Sequence, residues 1–91
     1  MINKKKKCWY VYIAKCADKT LYTGIATDVE KRFKAHNEGK GAKYTRSRLP
    51  VMLVYREKSK NRSSATKREL KIKKLSRKEK LFLLKKKKTS D

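Results

Sequence analysis

The feature that most restricts this chain is a run from Trp9 to Glu38, where two short β-type segments lead directly into a capped helix. Trp9-Tyr10-Val11-Tyr12-Ile13 is aromatic and β-branched. A period of two puts Trp9, Val11 and Ile13 on one face and Tyr10 and Tyr12 on the other. Ala17 to Thr20, with Asp18, reads as a turn, and Leu21-Tyr22-Thr23-Gly24-Ile25 as a second strand. So short a connection predicts an antiparallel hairpin. Thr27-Asp28-Val29-Glu30 then has the form of a capping box with Thr27 at the N-cap. The helix is predicted to run to about Glu38 and stop at Gly39, with Val29 and Phe33 sharing a face.

The remainder extends this pattern. Gly39 to Arg48 reads as a basic loop, and Val51-Met52-Leu53-Val54-Tyr55 as a third strand. Its nearly continuous apolar run predicts a central strand covered on both faces. Glu57 to Arg62 reads as a polar turn. Ser63 or Ser64 is the expected cap of a second helix to about Leu75, with Ala65, Glu69, Ile72 and Leu75 near one face. Ser76-Arg77-Lys78-Glu79 is a second capping box, opening a last helix with Leu81 to Leu84. The order β-β-α-β-α-α predicts an α/β (α+β) sandwich, read from the pattern alone as mixed in strand direction. The expected organisation is a basic arm at 1–7, one domain at 8–84 and a basic tail at 85–91.

Charge narrows the partners. Against 8 Asp+Glu stand 29 Lys+Arg, a net charge of +21. Such a surface repels its own copies, which predicts a monomer, and attracts polyanions, of which nucleic acid is the commonest. A membrane surface is the rival, but no apolar run approaches the ~20 residues needed to span a bilayer. Lys4 to Lys7 are not followed by a signal-peptide apolar region, so a cytoplasmic location is expected. Cys8 and Cys16, eight residues apart along one strand, would be ~26 Å from each other. They are read as reduced packing thiols.

Four sets of residues could carry chemistry. Glu69 falls on a face expected to pack inward, where a carboxylate needs a cation; an ion pair and a bound metal both satisfy it. Arg32 and His36 are i and i+4 and project together, as a phosphate site or as a packed histidine beside a surface arginine. Tyr12 and Tyr22 fall on one sheet face if the hairpin register allows, as packing aromatics or as phenols near cations that could act as a base. Lys40, Lys43, Arg46 and Arg48, with Tyr44 among them, form a basic patch suited to nucleic-acid backbone contacts and stacking.

Taken in order, these residues resemble the GIY-YIG nuclease family, and in particular its small stand-alone bacterial members. Tyr10-Val11-Tyr12 stands where the first half-motif is expected and Tyr22-Thr23-Gly24 where the second is. Asp28 to Phe33, His36-Asn37 and Gly39 to Thr45 extend the likeness, and Ala65 to Leu75 is similar to the helix carrying the family's metal-binding glutamate, at Glu69. Tyr10 replaces the first glycine, and Ile25 stands where many family nucleases have a lysine.

The resemblance implies a three-stranded antiparallel sheet flanked by helices, and phosphodiester hydrolysis on nucleic acid, DNA first and RNA as the alternative. It implies one divalent metal ion, Mg²⁺ or Mn²⁺, and no small-molecule organic cofactor. Tyr12 and Tyr22 would be the activating pair and Arg32 would stabilise phosphate charge. His36 and Tyr44 would position groups or move protons, and Glu69 would hold the metal. A basic nucleic-acid-binding module that has kept the fold without turnover is the other class of function this sequence fits.

Overall fold

The computed structural model describes residues 8–87; the basic arm at 1–7 and the last four residues lie outside it. Strands β1 (Trp9–Lys15), β2 (Leu21–Ala26) and β3 (Met52–Ser59) form one antiparallel sheet in the order β2-β1-β3. The helices are α1 (Val29–Asn37), α2 (Lys43–Arg46), α3 (Arg62–Lys73) and α4 (Arg77–Lys87). The strand direction is therefore the one implied by the family resemblance, not the mixed order suggested by the pattern alone.

The hairpin forms as expected. Asp18 Oδ1 accepts from the Thr20 amide at 3.1 Å and from its hydroxyl at 2.6 Å, and Lys19 takes a left-handed φ of 71°. The side chain thus replaces backbone partners through the turn.

The central strand is β1, not β3. Val11, Tyr12, Ile13 and Ala14 are all at most 1% exposed, whereas Met52 of β3 is 63% exposed. The apolar run at 51–55 belongs to an edge strand, and the two-sided burial falls on the strand whose second face is built from tyrosine. Val11 and Ile13 pack with Tyr55, Ala65 and Ile72 beneath α3. Tyr12, Ala14, Cys16, Ala26 and Val51 pack on the other face, with Tyr22 and Phe33 against them.

Four local expectations are corrected. The N-cap of α1 is Asp28, whose Oδ1 accepts from the Lys31 amide at 3.0 Å. An ionised acceptor makes the stronger cap bond, and Glu30 turns away to pair with Arg56 at 3.2 Å. The expected loop at 39–48 contains the single turn α2. β3 continues through the expected polar turn to Ser59, because Glu57 is held by Arg68 at 2.7 Å and accepts from the Tyr55 hydroxyl. Asn61, not a serine, caps α3, its Oδ1 accepting from the Ser64 amide at 2.9 Å.

Other signals hold. Gly39 has φ +80° and closes α1 with bonds from its own amide to His36 O and from Lys40 N to Ala35 O. Ser76 and Glu79 exchange backbone-to-side-chain bonds at 2.9 and 3.1 Å, a reciprocal capping box. From this start α4 runs to Lys87, so the first residues of the basic C-terminal segment are helical.

Candidate active site

The site is built on the pairing of β1 with β2. Tyr12 lies opposite Gly24, and Ala14 opposite Tyr22, so Tyr12 and Tyr22 share a face as diagonal neighbours. Gly24 is required by a close approach: a Cβ there would lie 2.6 Å from the Tyr12 hydroxyl oxygen and 2.8 Å from Cζ. With no side chain opposite it, the Tyr12 ring lies across the partner strand while remaining 1% exposed.

Helix α1 crosses this face and presents Phe33 and His36. Phe33 meets Tyr12 edge-on at 5.1 Å, and His36 meets Phe33 at 5.5 Å and Tyr22 at 5.9 Å. His36 is thus enclosed by three aromatic rings and is 1% exposed.

Its two nitrogens are both engaged. Nε2 lies 3.0 Å from the Tyr12 hydroxyl and Nδ1 lies 2.9 Å from Thr45 Oγ1. The Thr45 hydroxyl donates its one proton to Ala42 O at 3.0 Å, so towards His36 it can only accept. His36 therefore carries its proton on Nδ1, and Nε2 is the acceptor for the Tyr12 O–H. Hydrogen bonds thus run in one direction, from Tyr12 through His36 and Thr45 to a backbone carbonyl. Gly41 permits this closeness, since a Cβ on it would fall 2.1 Å from His36 Nδ1 and 2.9 Å from the His36 Cα.

The electrostatics agree with a neutral pair. Burial pushes the Tyr12 phenol up to about 12, with Tyr22 and Glu69 acting in the same direction and Arg32 opposing them. Burial, with Arg32 adding to it, holds His36 below the usual imidazole value. Tyr22, Arg32 and Glu69 are thus all within electrostatic reach of the Tyr12 hydroxyl. Arg32 is exposed and has no ion pair among the described residues.

Glu69 projects from α3 between Ala65 and Ile72, both fully buried. Its side chain is 17% exposed, and its carboxylate is 3.1 Å from the Lys73 ammonium. Among the described residues no three His, Cys, Asp or Glu side chains converge to cage a metal. A single carboxylate suits Mg²⁺, which keeps several waters and takes its other ligands from phosphate. The donor set therefore fits a hydrated hard cation and does not fit a closed protein cage.

The basic loop divides into two groups. Tyr44 stacks on Tyr22 at 5.7 Å, and its other neighbour is the Arg48 guanidinium at 3.9 Å from the ring centroid. Arg48 also pairs with Asp18 at 3.0 Å and donates to Tyr44 O at 2.8 Å. Lys43 and Arg46 are exposed on α2, while Lys40 lies 3.8 Å from Glu38.

Sequence reasoning missed Thr45, Gly41 and Asn37. The Asn37 side chain donates to Val51 O at 3.1 Å and accepts from Val51 N at 2.8 Å. No local periodicity marks such residues. The signal in the sequence was the family likeness, which runs through His36-Asn37 and Gly39 to Thr45 without giving these three residues a role.

Known proteins share this sequence and this fold. The model for the GIY-YIG catalytic domain matches residues 8–82. The chain is 57% identical over 81 residues to the UPF0213 protein DP2720 of Desulfotalea psychrophila, covering 88% of this chain and 74% of the relative. It is 59% identical over 75 residues to the UPF0213 protein CPE1444 of Clostridium perfringens, covering 82% and 81%. The solution structure of the UPF0213 protein BH0048 from Bacillus halodurans superposes with a TM-score of 0.59 at 43% identity, covering 91% of this chain and 88% of that one.

Proposed function

Since the chain belongs to the GIY-YIG catalytic domain family, a family whose activity is of the nuclease type, we propose that it is a metal-dependent endonuclease that hydrolyses phosphodiester bonds in DNA. The observation that carries the reading is the directed chain from Tyr12 to His36 to Thr45, with Arg32, Tyr22 and Glu69 acting electrostatically on the Tyr12 hydroxyl.

Tyr12 is the group that takes a proton from the attacking water. At about 12 its phenol is not ionised at neutral pH. His36, held below the usual imidazole value by burial, is too weak a base to strip that proton and leave a free phenolate. Proton movement is therefore concerted: Tyr12 accepts from water as it donates to Nε2. His36 becomes imidazolium, with Nδ1–H still held by Thr45, and no phenolate accumulates. Arg32 neutralises charge on the phosphate oxygens. Tyr22, backed by Tyr44 and Arg48, walls the site and presents its hydroxyl to the substrate. Glu69 would hold one Mg²⁺ or Mn²⁺, which supplies Lewis-acid polarisation of the phosphate when bound. Lys40, Lys43 and Arg46 give backbone contacts to the nucleic acid, with Arg48 anchoring their loop.

A binding module without turnover is the second reading, favoured by Ile25: its side chain packs against the α3-side core where many family nucleases have a lysine. The test is incubation with plasmid, branched DNA and single-stranded RNA plus Mg²⁺ or Mn²⁺. Cleavage lost with EDTA, in Glu69→Ala and in Arg32→Ala is the expected result. Binding without cleavage, unchanged in both variants, would establish the second reading.

A further inference from the structure

A groove of about 350 Å³ has both Arg32 and Trp9 in its lining. Ile25 and Ala35 give it apolar walls, Lys31 and Arg32 stand beside them, and Asp28 is also part of its lining. It lies where β2 passes into α1, with Ile25 and Trp9 packed on the α3 side of the sheet and Lys31, Arg32 and Ala35 contributed by α1. Trp9 is half-buried, and the Arg62 guanidinium lies 5.7 Å from its ring.

We infer that this groove receives an unpaired nucleobase, stacked on Trp9, from the strand whose phosphate is held at Arg32. The inference rests on the nuclease reading for the role of Arg32 and adds the substrate class: single-stranded or branched nucleic acid rather than continuous duplex. Three observations distinguish a base from backbone here. The walls are apolar, which suits a flat heterocycle. The Asp28 carboxylate repels phosphate but accepts from base amino groups. Lys31 and Arg32 line the groove and Arg62 lies over the Trp9 ring, so cations are available to the phosphates flanking one base. Tyr44, on α2, contacts Tyr22 and Arg48 and does not line this groove. Trp9 is the aromatic ring that lines the groove together with Arg32.

Trp9 is the only tryptophan in the chain, so its emission reports this groove alone. Full-length protein in EDTA is titrated with oligothymidylate, with blunt duplex and with polyphosphate, while binding is followed separately by anisotropy of labelled probes. The expected result is strong quenching by the single strand only. Trp9→Ala is expected to weaken single-strand binding about tenfold, within the range for a base–aromatic stack, with a smaller effect on duplex. Trp9→Phe is expected to recover part of the loss and guards against misfolding in the alanine variant. Saturated single-strand binding with unchanged emission would overturn the inference, as would equal quenching by duplex or by base-free polyphosphate. Quenching by the single strand in a protein that never cleaves would leave the groove standing and sink the nuclease reading. Cleavage without quenching would do the reverse.

Discussion

Replacing Gly24 by alanine tests whether Tyr12 is held as tightly as the site requires. The backbone itself would accept the change, because Gly24 is outside the left-handed region, where only Gly39 among the glycines lies. In a strand interior alanine would even be favoured by about 0.5–1 kcal/mol. The opposing term is steric: the new methyl lies 2.6 Å from the Tyr12 hydroxyl and 2.8 Å from Cζ. The ring cannot swing into solvent, being 1% exposed and wedged against Phe33 and His36. Overpacking of this kind costs about 1–3 kcal/mol, and a displaced Tyr12–His36 bond about 0.5–1.5 kcal/mol more. A net loss of about 2–3 kcal/mol corresponds to a fall in Tm of roughly 8–24 °C for a domain of this size. Thermal and urea unfolding of Gly24→Ala, Tyr12→Phe and the double variant form the assay. Removing the phenolic oxygen relieves the shorter contact, so Gly24→Ala is expected to cost at least about 1 kcal/mol less in the Tyr12→Phe background, a coupling well above ordinary non-additivity. An alanine variant as stable as the parent, or one costing the same in both backgrounds, would refute the close-approach argument.

Other outcomes follow from the same geometry. Because folding holds His36 below its unfolded value, its contribution is complete above about pH 6.5 and is lost as pH falls through the folded value; Tm measured from pH 8 to 5 is expected to decline, and His36→Gln to flatten that decline. Asp18, also lowered, acts beneath its ordinary 3.8 and does not enter this window. Thr45→Val leaves a buried imidazole N–H without an acceptor, for a loss of about 1–3 kcal/mol, while Thr45→Ser retains the bond; nitrogen chemical shifts of His36 are expected to report the Nδ1–H tautomer in the parent and the serine variant but not in valine. Lys43→Ala with Arg46→Ala is expected to weaken nucleic-acid binding at every sequence and lower the salt slope by about 2, read from affinity against salt concentration.

The sequence made β1, β2, the glycine stop of α1 and the second capping box legible, because each is encoded within a few neighbouring residues. It failed where tertiary partners choose between local options. Thr27 and Asp28 are both acceptable caps, and the position of Lys31 with Glu30 drawn to Arg56 decided for Asp28. The apolar run of β3 reads like a central strand, but centrality belongs to β1, whose tyrosine face is concealed by α1. In the site, Tyr12, Tyr22, Arg32, His36 and Glu69 stood out one by one and were joined by the family likeness; the structure bonds His36 to Tyr12 and puts Tyr22, Arg32 and Glu69 within its electrostatic reach. Thr45 escaped notice because its role depends on a hydroxyl proton committed to Ala42 and on nothing in its own neighbourhood of the chain.

The Asn37 amide closes a ring at Val51, and everything between those two residues returns to its starting point. That segment carries Lys40, Lys43, Tyr44 and Arg46 but contributes no strand to the sheet. Its two ends are fastened by one amide, and its middle is fastened to the scaffold by Thr45 on His36, Tyr44 on Tyr22 and Arg48 on Asp18. Transplanting residues 38–50 from a relative would leave the scaffold unchanged only if the graft keeps a glycine and a hydroxyl against the imidazole, a ring for Tyr22 and a cation for Asp18. A change anywhere in this segment is therefore felt at the sheet through those three contacts.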